Sequence, residues 1–171
     1  MLNFVQEADH TPMITRFSTE ANVAAAQRRE IFERNRHRVY AVSFWMTGSE
    51  LAAEDLMSDV FRVAFSSTPS PSAEDVDRAL VGEIAKTFDI PVFTLDCQPS
   101  SEVRSVRSNT LRVDLEAAVI QLPATEKLIF LMHDVERYDH DRVARLLGIT
   151  ERESRLGLHQ ARLRVRELLA V

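Results

Sequence analysis

The chain has 171 residues, enough for one or two domains each with its own core, and 45% hydrophobic content with four glycines and six prolines fits a mostly helical globular protein. A formal charge of -5 excludes a nonspecific nucleic-acid coat, because such binding scales with the number of phosphates neutralised. The lone Cys97 excludes an internal disulfide framework, and no apolar run approaches the ~20 residues that span a bilayer, so a reducing cytoplasm without membrane association is expected.

Residues 1–20 lack clean periodicity and read as a loosely docked leader without a secretory signal pattern. From Ala21 the spacing of Ile31, Phe32, Val39, Tyr40, Val42, Ser43 and Met46 predicts a long amphipathic helix ending at Gly48. Ser49 then caps a second helix, Glu50–Phe65, with Leu51, Leu56, Val60, Phe61, Ala64 and Phe65 inward and Glu54, Asp55 and Asp59 outward. The two should form an antiparallel hairpin. A Ser/Pro loop follows, and Val76, Leu80, Ile84 and Phe88 predict a third helix over Ala73–Phe88. Pro91 and Pro99 bracket an irregular passage, and residues 92–111, rich in Ser with Arg104 and Arg107, read as a linker.

Beyond it, Leu111, Val113, Leu115, Val119 and Leu122 predict one helix, and Pro123 opens another over Ala124–Val135, where its missing N–H costs little. The stretch Asp139–Arg152 is written as a short helix closed by Gly148, a tight turn, and a new helix capped by Thr150 with Glu153 in a capping box. The expected fold is all-α: two small helical domains, 21–91 and 112–171, joined by the linker, the second a helix-turn-helix.

On the last helix Arg152, Arg155, His159, Arg162, Arg164 and Arg166 accompany Leu156, Leu158, Leu163, Val165, Leu168 and Leu169. Residues 151–171 hold five arginines against three glutamates, so a net +2 segment sits inside an acidic chain. Arg152, Arg155, His159 and Arg162 are the candidate DNA contacts, within reach of phosphates or guanine edges. Catalysis is not expected. Glu54, Asp55 and Asp59 could place two carboxylates on one helix face, but no metal set and no nucleophile with a base accompanies them. His10, His37, His133, His140 and His159 are dispersed; His133 and His140 can approach across a turn, as an incidental pair rather than a metal site. No cofactor, metal or small-molecule substrate is expected.

Two blocks together resemble a bacterial sigma factor of the extracytoplasmic-function group. The first runs Arg34-Asn35-Arg36-His37-Arg38-Val39-Tyr40, Thr47-Gly48 and Ala53-Glu54-Asp55-Leu56 through Val60-Phe61-Arg62-Val63-Ala64-Phe65, and is similar to that family's polymerase-binding hairpin. The second runs from Leu122-Pro123 through Phe130-Leu131 and Val143-Ala144-Arg145-Leu146-Leu147-Gly148-Ile149 to His159-Gln160-Ala161-Arg162, and is similar to its upstream-promoter reader. The resemblance implies core RNA polymerase and promoter DNA as partners, with an anti-sigma protein as a further one, and implies polymerase contacts at Glu54, Asp55, Leu56, Asp59, Val60 and Phe61. The third helix departs from the pattern. Leu80 stands where a Trp is usual, Thr87 where an Asn is usual, and residues 72–89 carry a net charge of -3, a surface that repels DNA. Gly157 and Gln160 likewise replace basic residues usual in the reading helix. These departures leave two further readings open: a sigma-like decoy that binds polymerase or an anti-sigma factor without opening promoters, and a dimeric helix-turn-helix regulator.

Overall fold

The computed structural model describes residues 13–68, 70–95 and 111–170, with side chains from residue 22 onward. Seven α-helices carry the fold, and no strand occurs among the described residues. Helix α1 spans Met13–Thr47, α2 Glu50–Ser67, α3 Ala73–Thr87, α4 Arg112–Ile120, α5 Ala124–Phe130, α6 His140–Leu147 and α7 Glu151–Leu169.

Local chemistry sets most of the boundaries. Gly48 turns the chain at φ 69°, a left-handed conformation that glycine adopts without strain, and the Ser49 hydroxyl then accepts from the Ala52 amide to start α2. The α1–α2 pair is the expected hairpin, pinned by the Phe32 and Phe61 rings at 4.8 Å. Helix α3 opens with a full capping box between Ser72 and Asp75. Helix α1, however, begins at Met13, eight residues before the expected start at Ala21, so part of the presumed leader is helical. Residues 22–30 of α1 are almost entirely exposed.

Three apolar faces differ from expectation. Leu51, expected inward, is 71% exposed, because the buried side of α2 runs through Ala53, Leu56, Val60, Phe61 and Ala64. Leu111, Val113 and Leu115 are exposed on or beside α4, whose buried side is Ala118 and Val119, followed by Leu122. Val113 lies about 200° from Leu115 and faces away from Val119, whereas Leu111 and Leu115 precede Val119 at four-residue spacing on its side of the helix, so their exposure means that only the C-terminal end of α4 is covered. At the start of the presumed linker, Phe93 is buried and Leu95 half-buried against the core; residues 96–110 lie outside the described part.

Helix α5 continues not as α-helix but as a π-helical turn over Leu131–Val135, after which Arg137 takes a left-handed φ of 63°. Lys127, buried on α5, donates to the Ile120 carbonyl at 2.6 Å and so satisfies the end of α4; burial lowers its pKa. One apolar cluster runs without a break from Val39 through Ile84 and Leu128 to Val165. Pairs within each half, α1 with α2 and α5 with α7, pack along broad faces, whereas α1 meets α4 and α5, and α3 meets α6, along narrower seams.

Candidate nucleic-acid interface

Helices α6 and α7 build the helix-turn-helix. Asp139 accepts from the Arg142 amide at 2.7 Å to open α6, and Gly148 closes it at φ 68°. Thr150 accepts from the Glu153 amide at 3.1 Å while the Glu153 carboxylate takes the Thr150 amide at 2.7 Å. These bonds hold Glu153 below the usual carboxylate range. The turn and capping box are as the sequence leads one to expect.

Helix α7 buries Ser154, Gly157, Leu158, Ala161 and Val165. Of the apolar series expected inside, Leu158 and Val165 are buried, while Leu156 and Leu168 are 40% and 45% exposed. The opposite side carries Arg152, Arg155, His159 and Arg166, spaced so that all four lie on one exposed stripe. Arg155 pairs with Glu151 one turn back, whereas Arg152 and Arg166 have no ion pair with another described residue. Arg162 sits at the edge of the stripe, gripped by both Asp134 oxygens at 2.7 and 3.0 Å. Burial opposes the Asp134 charge, but the bonds from Arg162 and His133 outweigh it and keep the carboxyl low. Arg162 therefore braces α7 against the π-helical turn before it can reach outward. Arg166, absent from the expected contacts, joins the stripe by geometry.

Gly157 has a packing reason. A Cβ built there would stand 2.6 Å from Ile129 Cδ1 and 2.8 Å from Leu95 Cδ2, so the missing side chain admits both to the α7 surface. Val92, Phe93, Thr94 and Leu95 thereby lie beside the helix-turn-helix turn and line a cavity of about 510 Å3 with Gly148, Ile149, Glu153 and Leu156. Gln160, the other departure, is half-buried.

His133 and His140 do meet: their rings stack with centroids 4.3 Å apart. Each ring is held from outside the pair, His133 by Asp134 at 2.9 Å and His140 by Ser154 at 3.0 Å. Burial, with the neighbouring His133 and Arg155, lowers the His140 pKa. Among the described residues no group of three or more His, Cys, Asp or Glu side chains is placed to hold a metal.

On the N-terminal hairpin the structure separates the expected polymerase contacts into two sets. Glu54 and Asp55 are exposed and Asp59 half-exposed, paired with Arg62 at 2.8 Å. Leu56, Val60 and Phe61 are only 4%, 0% and 5% exposed. Expected as contact residues, these three lie on the α2 side that packs on α1 and α3 and are buried in this structure. The exposed apolar residue beside the acids is Leu51.

A polar knot joins this half to the helix-turn-helix. Asp77 of α3 is completely buried, and its carboxylate accepts from Arg38 of α1, from Arg142 of α6 at 2.6 Å and from the Tyr138 hydroxyl at 2.9 Å. Arg38 also donates to the Tyr138 oxygen at 2.5 Å and to Asn35 at 2.7 Å, and the Arg142 guanidinium lies 3.9 Å over the Tyr138 ring. Burial opposes the Arg142 charge, but Asp77 and Tyr138 raise its pKa on balance; burial pushes the Tyr138 hydroxyl up, so it stays a neutral donor. Sequence reasoning missed this knot, although a carboxylate between Val76 and Leu80 on an apolar helix face was its visible trace.

The class is thus a helical protein whose C-terminal helix-turn-helix, carrying a basic outward stripe, is docked on an N-terminal three-helix unit. Residues 112–165 match the family described as Sigma-70, region 4. The sigma factor RpoE of Bartonella quintana, solved in complex with the anti-sigma factor NepR, shares the fold with TM-score 0.63 at 15% identity, over 82% of this chain and 95% of that one. No curated protein matches the chain by sequence. The family match covers residues 112–165, about a third of the chain, and over the rest the likeness to RpoE is one of fold.

Proposed function

We propose that the protein is a sigma factor that joins core RNA polymerase and directs it to promoters, with α7 reading the upstream promoter element. The observation that carries this is the region 4 match over residues 112–165 coinciding with the outward stripe of Arg152, Arg155, His159 and Arg166. Arg152 and Arg166 need surrender no ion pair within the described protein to meet a phosphate, whereas Arg162 must share itself with Asp134. On this reading residues 21–91 form the polymerase-binding domain, 92–111 the linker and 112–171 the promoter reader. Polymerase is met by Glu54, Asp55 and Asp59, with Leu51 in place of the buried apolar three as the anchor.

The protein performs no catalysis itself; it redistributes polymerase by adding sequence-dependent binding energy. No helix among the described residues is long and apolar enough to cross a membrane, and we place the protein in the cytoplasm with its polymerase. An anti-sigma protein is a natural partner, since RpoE of Bartonella quintana was solved with one.

A specific observation favours a second reading, the decoy. Leu80, where a base-trapping aromatic is usual, is 1% exposed in the core, and the first turn of α3 carries Glu74 and Asp75. That helix offers no stacking platform for an unpaired base. Transcription with core polymerase on fragmented DNA from the protein's own genome separates the two. Discrete starts sharing an upstream motif establish the sigma factor. Stable polymerase binding without transcripts establishes the decoy, and self-association with operator binding but no polymerase binding establishes the dimeric regulator.

A further inference from the structure

Of the apolar residues expected inside α7, Leu156 is the one that the fold both exposes and sets in the basic stripe. At about 100° of rotation per residue it stands about 40° from Arg152 and about 60° from His159, with Arg155 as its chain neighbour, and it is 40% exposed. Leu163, two turns on, is half-buried. Leu168, exposed to a similar degree, lies about 160° round from Arg152 and about four turns further on, away from the stripe. The carboxylates near Leu156 are engaged within the protein, Glu153 by the Thr150 cap and Glu151 by Arg155.

A lone apolar side chain among cations fits a partner laid out in reverse, with phosphates at its edges and single methyl groups between them. An apolar protein groove would desolvate the arginines without pairing them. The major groove of DNA has the required layout, since thymine carries a 5-methyl on its groove edge and no other unmodified base does.

We propose that Leu156 reads a thymine of the bound DNA, seating the 5-methyl of the base against its side chain among phosphates met by the neighbouring arginines. This assignment rests on α7 being the promoter reader and adds to it a base that is read.

The test enriches random-sequence duplexes on the full chain, alone and with core polymerase, in parallel for the parent and for Leu156→Ala. Two pools are used, one built with thymine and one with uracil, which differs only by the missing methyl. The parent should fix thymine at one position of its motif in the first pool and lose that preference in the second. Leu156→Ala should lose the same position and keep the rest of the motif. On a single duplex, uracil for that thymine should weaken the parent about fourfold, the effect of returning one methyl to water, and leave Leu156→Ala unchanged. With cytosine at the position, 5-methylcytosine should strengthen the parent by a similar factor, because the methyl returns on a base with different hydrogen-bonding groups. The uracil pool alters only the DNA, so the parent alone decides the methyl contact even where Leu156→Ala loses helicity. Uracil that weakens parent and folded variant equally assigns the methyl to another residue and overturns the proposal. Uracil without effect on an otherwise intact motif overturns it as well and leaves Leu156 to a protein partner. If no form enriches any motif, the promoter-reader assignment itself falls, and the thymine contact with it.

Discussion

Helices α3 and α7 carry similar numbers of charges and use them in opposite directions. On α7 the small or apolar residues Ser154, Gly157, Leu158, Ala161 and Val165 face the core and Arg152, Arg155, His159 and Arg166 form one outward stripe, while Arg162 and Arg164 are turned to Asp134 and to the buried Glu126. On α3 two carboxylates, Asp77 and Glu83, are buried with the apolar residues, and Asp77 bonds to both halves of the molecule. Charge on the α7 stripe is available to an outside partner, while the Asp77 charge of α3 is consumed by the fold. Net charge by segment, -3 over residues 72–89 against +2 over 151–171, describes neither role by itself; burial assigns them.

The largest effect that would break this contrast belongs to α3. Asp77→Ala should cost about 3 kcal/mol, the low end for disrupting a buried pair because both arginines keep a path to water, whereas Glu74→Ala on the exposed side should stay within about 0.5 kcal/mol. Urea denaturation followed by circular dichroism measures both, and equal costs would erase the distinction. Next, Asp55→Arg with Asp59→Arg should weaken polymerase association by roughly tenfold or more while leaving stability almost unchanged, because these acids sit on the outside of α2. Undiminished co-purification with polymerase would return that face to plain solvated surface.

Within α7 the two sides can be set against each other. Gly157→Ala gains helix propensity but drives a methyl into Ile129 and Leu95, and the net should be a loss of about 1 kcal/mol, read as a lowered denaturation midpoint. A raised midpoint would mean that Leu95 withdraws freely. Arg152→Ala with Arg166→Ala should leave stability alone, weaken promoter binding and reduce the salt slope by about two, one for each phosphate contact. An unchanged slope would remove the stripe from the DNA.

The smallest effect is one of pH. The folded state lowers the His140 pKa, so the unfolded chain binds the extra proton first, and stability is lost as pH falls from the ordinary histidine value of 6.5 through the lowered one. Glu136, whose pKa burial raises, acts with the opposite sign at more acid pH. His140→Gln should therefore flatten the loss in denaturation midpoint between about pH 7 and 5.5. An identical slope in the variant would assign that loss to another group.

What the sequence made legible was what neighbours decide. Gly48, Gly148, Ser49 and the Thr150–Glu153 box act over three or four residues, and the turns and helix starts they imply are where the structure has them. Inward and outward were harder. Leu51 and Leu56 look alike in composition, but only Leu56 falls on the side of α2 that α1 and α3 cover. Hydrophobic type told little about Leu111, Val113 and Leu115 either, since which part of α4 is covered is decided by α7 and α1. The Asp77 knot lay beyond local reasoning altogether: its partners are 39, 61 and 65 residues away, and no spacing rule reaches that far. For the candidate DNA stripe the arginines were legible, but the engagement of Arg162 by Asp134, 28 residues earlier, and the alignment of Arg166 were not.

The π-helical turn at Leu131–Val135 works as a spacer. A π turn accommodates one residue more than an α turn, and each residue in a helix advances the chain by about 100° of rotation. Deleting a single residue there would let α5 run on as ordinary helix, and everything downstream would start from a different azimuth. Tyr138 would swing away from Asp77, and α6 would leave with it. The insertion thus sets the phase between the two halves as a single tooth sets the mesh of two gears.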